Sequence, residues 1–280
     1  MRRIALRIAY DGTGHAGWQT QVNGCGIQDR VQAAVAAIAQ HPVDVVCAGR
    51  TDAGVHALGQ ITHFDTYAQR PLQAWVRGVN ACLAQGNKGA GAIVVREAVE
   101  VDPAFHARFS AVARGYYYLI HQSPVEHPLW RGRAAWTHRR LDARSMREAG
   151  GMLIGSHDFS AFRSAQCQAR SPCRRIDQLD LLALDALIVV QVRANAFLHH
   201  MVRNIVGALV AIGAGLHPPA QMRAWLVSRD RSSSPATFAA EGLYFAGALY
   251  PQQDRPASWA ACSGLSPLQE LLPGLTPPLA

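Results

Sequence analysis

The chain is poor in lysine, in charge and in long apolar runs. Lys88 is the only lysine among its 27 basic residues, and charged residues fill just 16% of 280 positions. No apolar run approaches the roughly eighteen residues that a membrane-crossing helix needs. A membrane partner is therefore not expected. The first residues, M-R-R-I-A-L-R-I-A-Y-D-G, alternate charge with apolar side chains and lack the continuous apolar core of a signal peptide, so a cytoplasmic location is expected. Cysteine is scarce and scattered. The six cysteines, at 25, 47, 82, 167, 173 and 262, contain no C-x-x-C pair, and no His or Cys cluster completes a zinc set around Cys167 and Cys173. All six are read as reduced thiols, without a metal role. No clear sequence repeat is present.

Hydrophobic residues reach 49% and the formal net charge is +8. Such a chain can bury a substantial core in one large domain or two moderate ones. A basic surface made of arginine suits phosphate, because the guanidinium fork meets it with paired hydrogen bonds, and this makes nucleic acid a reasonable partner.

Along the chain, residues 3–10 alternate as a half-buried strand, and Asp11-Gly12 ends it. Ile27, Val31, Val35 and Ile38 predict a helix to about Gln40, stopped by Pro42. Short strands are expected at Val43–Cys47 and Leu58–Asp65, a helix at Leu72–Leu83 behind Pro71, and a strand at Ile93–Val101. Asp102-Pro103 is the expected boundary between an N-terminal unit, 1–102, and a C-terminal unit, 103–250. Tyr116, Tyr117 and Tyr118 lie on a strand, and a linker from Gln122 to His138 precedes a helix at Asp142–Ile154. Residues 163–175 carry Arg163, Arg170, Arg174 and Arg175 without an acid, which is either a solvated face or a first place for phosphate contacts. Strands are expected at 176–184 and 186–192, then an apolar helix from Phe197 to Ala214 that carries Arg203. A guanidinium half-buried there needs a carboxylate or phosphate partner. A short helix at Pro235–Glu241 and a strand at Leu243–Tyr250 complete the reading, and the proline-rich 251–280 is expected to be irregular. The whole reads as α+β.

One stretch concentrates the polar residues. In C-A-G-R-T-D-A-G-V-H-A-L-G-Q, Arg50, Thr51 and Asp52 sit between Gly49 and Gly54, on an excursion between two strands. Local spacing leaves two readings open, a structural ion pair of Asp52 with Arg50 or a catalytic carboxylate.

The stretch A-G-R-T-D-A-G-V-H-A-L-G-Q, with Y-D-G-x-x-x-x-G-W-Q at 10–19, F-H-A-R-F-S-A-V-A-R-G-Y up to Tyr116, N-A-F-L-H-H-M-V-R-N-I-V-G around Arg203 and A-E-G-L-Y near Leu243, resembles the bacterial tRNA pseudouridine synthase A family. The motifs follow the family's order across residues 4–250; the tail is outside the likeness. The resemblance implies isomerisation of uridine to pseudouridine at nucleotides 38, 39 and 40 of the tRNA anticodon stem-loop, by a cytoplasmic homodimer without metal or cofactor. It implies two similar α+β subdomains with mainly antiparallel sheets flanked by helices and an active-site cleft between them. By position, Asp52 matches the essential nucleophile, Tyr116 the tyrosine that stacks on the target base, and Arg203 the cation paired with the catalytic Asp. Arg50 is expected to hold phosphate or prop the flipped nucleotide, and Leu243 to join the substrate site. Two departures stand out: Leu83-Ala84 and the loop 85–92 replace a Leu-Pro and Asp-Ile, and Gly115 replaces a basic residue before the tyrosine.

The residue types suit that chemistry. A carboxylate can attack as a nucleophile or act on a sugar proton, a cation beside a carboxylate keeps it ionised as water leaves, and a tyrosine face replaces stacking lost by a flipped base. The alternatives are a non-catalytic RNA-binding protein, which has no use for a buried Arg and a loop Asp, and a metal hydrolase on His56, His63, His199 and His200, which lacks a compact ligand set.

Overall fold

The computed structural model describes residues 1–280 apart from 23, 25, 86–90, 255, 257–258 and 260–280. Cys25, Cys262, most of the loop 85–92 and the tail that the sequence reads as irregular thus lie wholly or largely outside the described residues.

Two compact units divide the chain: Met1–Val112 together with the residues from Tyr244 onward, and Ala113–Leu243. In the first, β1 (Arg2–Tyr10) pairs antiparallel with β3 (His56–Thr66) on one side and β4 (Ile93–Val101) on the other, and the two-residue β2 (Val46–Cys47) adds to β3. The closing strand Leu243–Leu249 runs parallel to β3, Tyr244 opposite His56 and Phe245 opposite Ala57.

The helices α1 (Ile27–Ala39) and α2 (Leu72–Leu83) fall where the apolar spacing predicts them. Pro71 occupies the N-cap position of α2, and Trp75, Val79 and Leu83 form its buried face. Asn80 then clamps α2 to β4, donating to the Val95 carbonyl at 2.8 Å and accepting the Val95 N–H at 2.7 Å.

In the second unit, β5 (Ala113–Gln122), β8 (Cys173–Leu184) and β9 (Leu187–Ala194) form an antiparallel core in the order β5-β9-β8, extended by β7 (Gly155–Asp158) beside β8. β6 (Ala135–Thr137), inside the segment read as linker, runs parallel to β5. Three helices accompany this sheet: α3 (Ala143–Gly151), capped by Asp142, α4 (Met201–Gly213) and α5 (Gln221–Ser228). With the closing strand as β10, the architecture is α+β, mostly antiparallel, with helices flanking.

Four sequence expectations are corrected. The boundary at Asp102-Pro103 falls too early, because the next residues are tied to the first unit: Arg3 donates to the carbonyls of Pro103 and Phe105 (2.6 and 2.7 Å), Tyr250 to Ala107 (2.7 Å), and Val112 to Leu249 (2.8 Å). β10 belongs, from Tyr244, to that same unit and not to the second. The long helix starts at Met201, not Phe197, because His200 adopts φ 61° and the backbone of His199 is engaged by Ser164 and Cys167.

The fourth concerns Pro235–Glu241, which is not helical. Its backbone groups find tertiary partners: the Phe238 N–H donates to the Arg203 carbonyl, the Phe238 carbonyl accepts from Arg203 Nε, and the Ala239 carbonyl accepts from the Tyr118 hydroxyl. Partners of this kind compete directly with the local helix.

Candidate active site

The loop bearing Arg50 and Asp52 is held from below by a second loop, residues 11–18. The first N–H groups of a helix have no partner within it. In α1 these donors, Ile27 and Gln28, go to the carbonyls of Gly17 (3.0 Å) and Trp18 (2.9 Å). The Trp18 N–H in turn donates to the Thr51 carbonyl at 3.0 Å. A helix end thus fixes loop 11–18, and that loop fixes the residue before Asp52.

Two glycines make this approach possible. A Cβ on Gly12 would meet the Val55 carbonyl oxygen at 2.1 Å, and one on Gly17, whose φ is +86°, would meet the Thr51 oxygen at 2.7 Å. Side chains add to the frame: the Tyr10 and Thr51 hydroxyls are hydrogen-bonded at 2.7 Å, and buried Gln60 of β3 donates to the Gly49 carbonyl. His56 accepts the Gly12 N–H on Nδ1 at 3.0 Å while its ring stacks on Tyr244 at 4.5 Å. The Val55 N–H closes a turn onto the Asp52 carbonyl at 3.2 Å, with Gly54 at φ +77°. The outcome is a clamped backbone on which Thr51 is buried, Asp52 half-buried and Arg50 exposed. Cys47, just upstream, is no rival nucleophile: burial pushes its thiol up to about 12, against the lowering field of Arg50.

The second unit carries Tyr116, Arg203 and Leu243. Tyr116 stands on β5 opposite Val192, and its ring meets Phe197 edge-on at 5.0 Å. Phe197, expected inside a helix, instead lies in the turn before α4. Arg203 is the one residue of α4 that is not buried. Its Nε donates to the Phe238 carbonyl at 2.9 Å, which fixes the plane of the guanidinium. Neighbouring Asn204 donates to the Phe162 carbonyl (2.8 Å) and accepts from Thr237 (2.6 Å) and Arg231 (3.2 Å). A Cβ on Gly207 would strike the Ala236 oxygen at 2.2 Å, so this glycine seats the segment that orients Arg203.

The hydroxyl of Tyr118, the third tyrosine of the run, anchors that segment from the sheet side. Burial first, and the field of Glu241 second, push its phenol well above the usual value, while Arg203 pulls it down. It therefore stays a protonated donor. Leu243 is buried, and its N–H donates to the Ala240 carbonyl at 2.9 Å.

The arginines of 163–175 largely tie their own loop. Arg163 donates to the carbonyls of Cys167 and Ala169, Arg174 to those of Ser171 and Cys173, and Arg175 pairs with Asp177 at 2.7 Å; Arg170 is exposed. The four described cysteines, Cys47, Cys82, Cys167 and Cys173, are free thiols.

The structure thus sets Arg50 and Asp52 on one loop of the first unit, and Tyr116, Arg203 and Leu243 on the second. The residues that sequence reasoning leaves without a role are Tyr10, Gly12, Gly17, Trp18, His56 and Gln60. They all fall inside the quoted motifs, which was the available signal.

Comparison with known proteins narrows the class. Residues 149–251 match a family model described as tRNA pseudouridine synthase. Curated relatives called tRNA pseudouridine synthase A include one from Chromobacterium violaceum, 51% identical over 90% of this chain and 94% of the relative. Another, from Bordetella parapertussis, is 51% identical over 90% and 92%, and one from Herminiimonas arsenicoxydans is 49% identical over 88% of each. Of solved structures, one of an H/ACA RNP bound to a substrate RNA containing 2'-deoxyuridine aligns at TM-score 0.35 and 11% identity, covering 74% of this chain and 43% of that one, a likeness too weak to carry weight. The class so defined is that of the pseudouridine synthases, isomerases that act on uridine in RNA. Within it, the chain belongs to the tRNA pseudouridine synthase A family.

Proposed function

We propose that this protein converts uridine to pseudouridine at positions 38, 39 and 40 of the tRNA anticodon stem-loop. The observation that carries the reading is the loop of Arg50, Thr51 and Asp52, held from helix α1, from Tyr10 and from Gln60, with a carboxylate displayed at its half-open tip. Preorganised placement of a reacting group supplies much of the barrier reduction in enzymes.

The bond between N1 and C1' of the target nucleotide must break, the uracil must turn, and C5 must join C1'. N1 ends with a proton, and C5 releases one to solvent. Asp52 serves as the carboxylate, either attacking C1' or acting on a sugar proton. Arg203 pairs with it as counter-ion, its guanidinium plane already set by the Phe238 carbonyl. Tyr116 stacks on the displaced base, Leu243 packs against it, and Arg50 holds phosphate or props the vacated stack. The enzyme acts as a cytoplasmic homodimer. Among the described residues no helix is long and apolar enough to cross a membrane.

The test uses tRNA carrying tritium at uracil C5, with nucleotide mapping of the product. Expected are release that persists in chelator and pseudouridine confined to 38–40. Product at other positions would overturn the site assignment, and loss of release on chelation would overturn the metal-free chemistry.

A further inference from the structure

We propose that the turn 105–110 of the first unit is a stacking platform for an unpaired base of the substrate RNA, with Phe109 as its face. In F-H-A-R-F the two phenylalanines have opposite fates. Phe105 is buried against Tyr250 at 5.0 Å, whereas Phe109 is 75% exposed. A single exposed apolar residue is ordinary, but this one is built in place. Its ring lies 4.3 Å from that of His106 at 31°, and the Arg108 guanidinium sits over it at 5.6 Å.

The backbone beneath is rigidly tied. His106 Nδ1 accepts the N–H groups of both Arg108 and Phe109 at 3.2 Å, which fixes the neutral tautomer protonated on Nε2. Ser110 and His106 exchange two further bonds, the Ser110 N–H to the His106 carbonyl (2.9 Å) and the His106 N–H to Ser110 Oγ (3.0 Å). Ala107 donates to His63 at 3.2 Å and accepts from Tyr250. An aromatic face held at so little conformational cost, beside an exposed arginine, matches what nucleic-acid channels use: stacking on any base, with cation attraction for the adjoining phosphate. A second copy of the chain fits less well. Phe109 and nearby exposed Val112 offer on the order of 200–300 Å², far below the roughly 1,200 Å² of a stable protein interface.

This inference rests on tRNA being the substrate, and the experiment separates the two. Affinity for tRNA at fixed salt and single-turnover tritium release at saturating tRNA are measured for wild type, Phe109→Ala, Phe109→Trp and Arg108→Ala. Phe109→Ala is expected to bind roughly ten- to a hundredfold more weakly, with an unchanged melting temperature, an unchanged salt slope and the wild-type rate at saturation. Phe109→Trp keeps wild-type affinity, and Arg108→Ala lowers the salt slope by about one. Wild-type affinity in Phe109→Ala, or equal loss in the Trp and Ala variants, overturns the platform while leaving the enzyme's function intact. A change of oligomeric state in Phe109→Ala overturns it in favour of a second copy. Wild-type protein that neither binds nor turns over tRNA overturns the functional reading beneath it, and the platform with it.

Discussion

At the scale of single residues, the polar groups that matter most are buried and spent on backbone. Tyr118 has no solvent exposure, and its hydroxyl holds the Ala239 carbonyl within the segment that orients Arg203. Tyr118→Phe keeps the ring but leaves that carbonyl short of a donor. We expect a loss of about 1–2 kcal/mol in urea denaturation, and a lower rate at saturating tRNA with little change in tRNA affinity.

His63 sets an acid limit. Its imidazole is buried and lies in the field of Arg3 and His106, which together push it down to about 4. An unfolded histidine titrates near 6.5, so between about pH 6.5 and 4 the unfolded chain holds a proton that the folded chain does not. Stability is therefore full above that window and falls as pH drops through it, by no more than about 3 kcal/mol. His63→Gln, which keeps an acceptor for the Ala107 N–H, should flatten this part of a stability-against-pH curve; an unchanged acid slope would assign the limit to other groups.

At the scale of elements, local pattern was a good guide wherever local forces decide. α1, α2 and β4 were legible because apolar spacing and Pro71 mark them, and all three form as read. Pro235–Glu241 was not legible, because its conformation is set by Arg203, Tyr118 and Gly207, which are remote in sequence. The same holds for the start of α4, fixed by bonds from Ser164 and to Cys167. Gly207→Ala tests this dependence. The new methyl cannot coexist with the Ala236 oxygen, so the segment must shift; we expect a destabilisation of about 1–3 kcal/mol and a drop in turnover larger than that of a surface alanine. Wild-type turnover would show that the segment does not set Arg203.

The loop of Asp52 illustrates the limit of reading along the chain. Its glycines, its Arg and its Asp were visible, and so was the ambiguity between ion pair and catalyst. The frame beneath it was not, since Tyr10, Trp18 and Gln60 reach it only through the fold.

For the whole molecule, charge and division into units are the relevant quantities. The net charge of +8, almost all from arginine, predicts binding to tRNA that weakens steeply with salt, log affinity falling linearly with log salt concentration. Affinity independent of salt would contradict a phosphate-led encounter. The division falls beyond Asp102-Pro103 because the following turn is anchored to β1, to β3 and to Tyr250 just past β10. A Pro after an apolar strand marks a break in local structure, not the end of a packed unit.

The central claim is that the framed loop exists to present the Asp52 carboxylate to uridine. Its most direct test is single-turnover tritium release from tRNA by Asp52→Asn, measured beside tRNA affinity and thermal stability. We predict that release is abolished while affinity and melting temperature stay near wild type, because the frame is made by backbone and by neighbours of Asp52. Release at the wild-type rate by Asp52→Asn would contradict it.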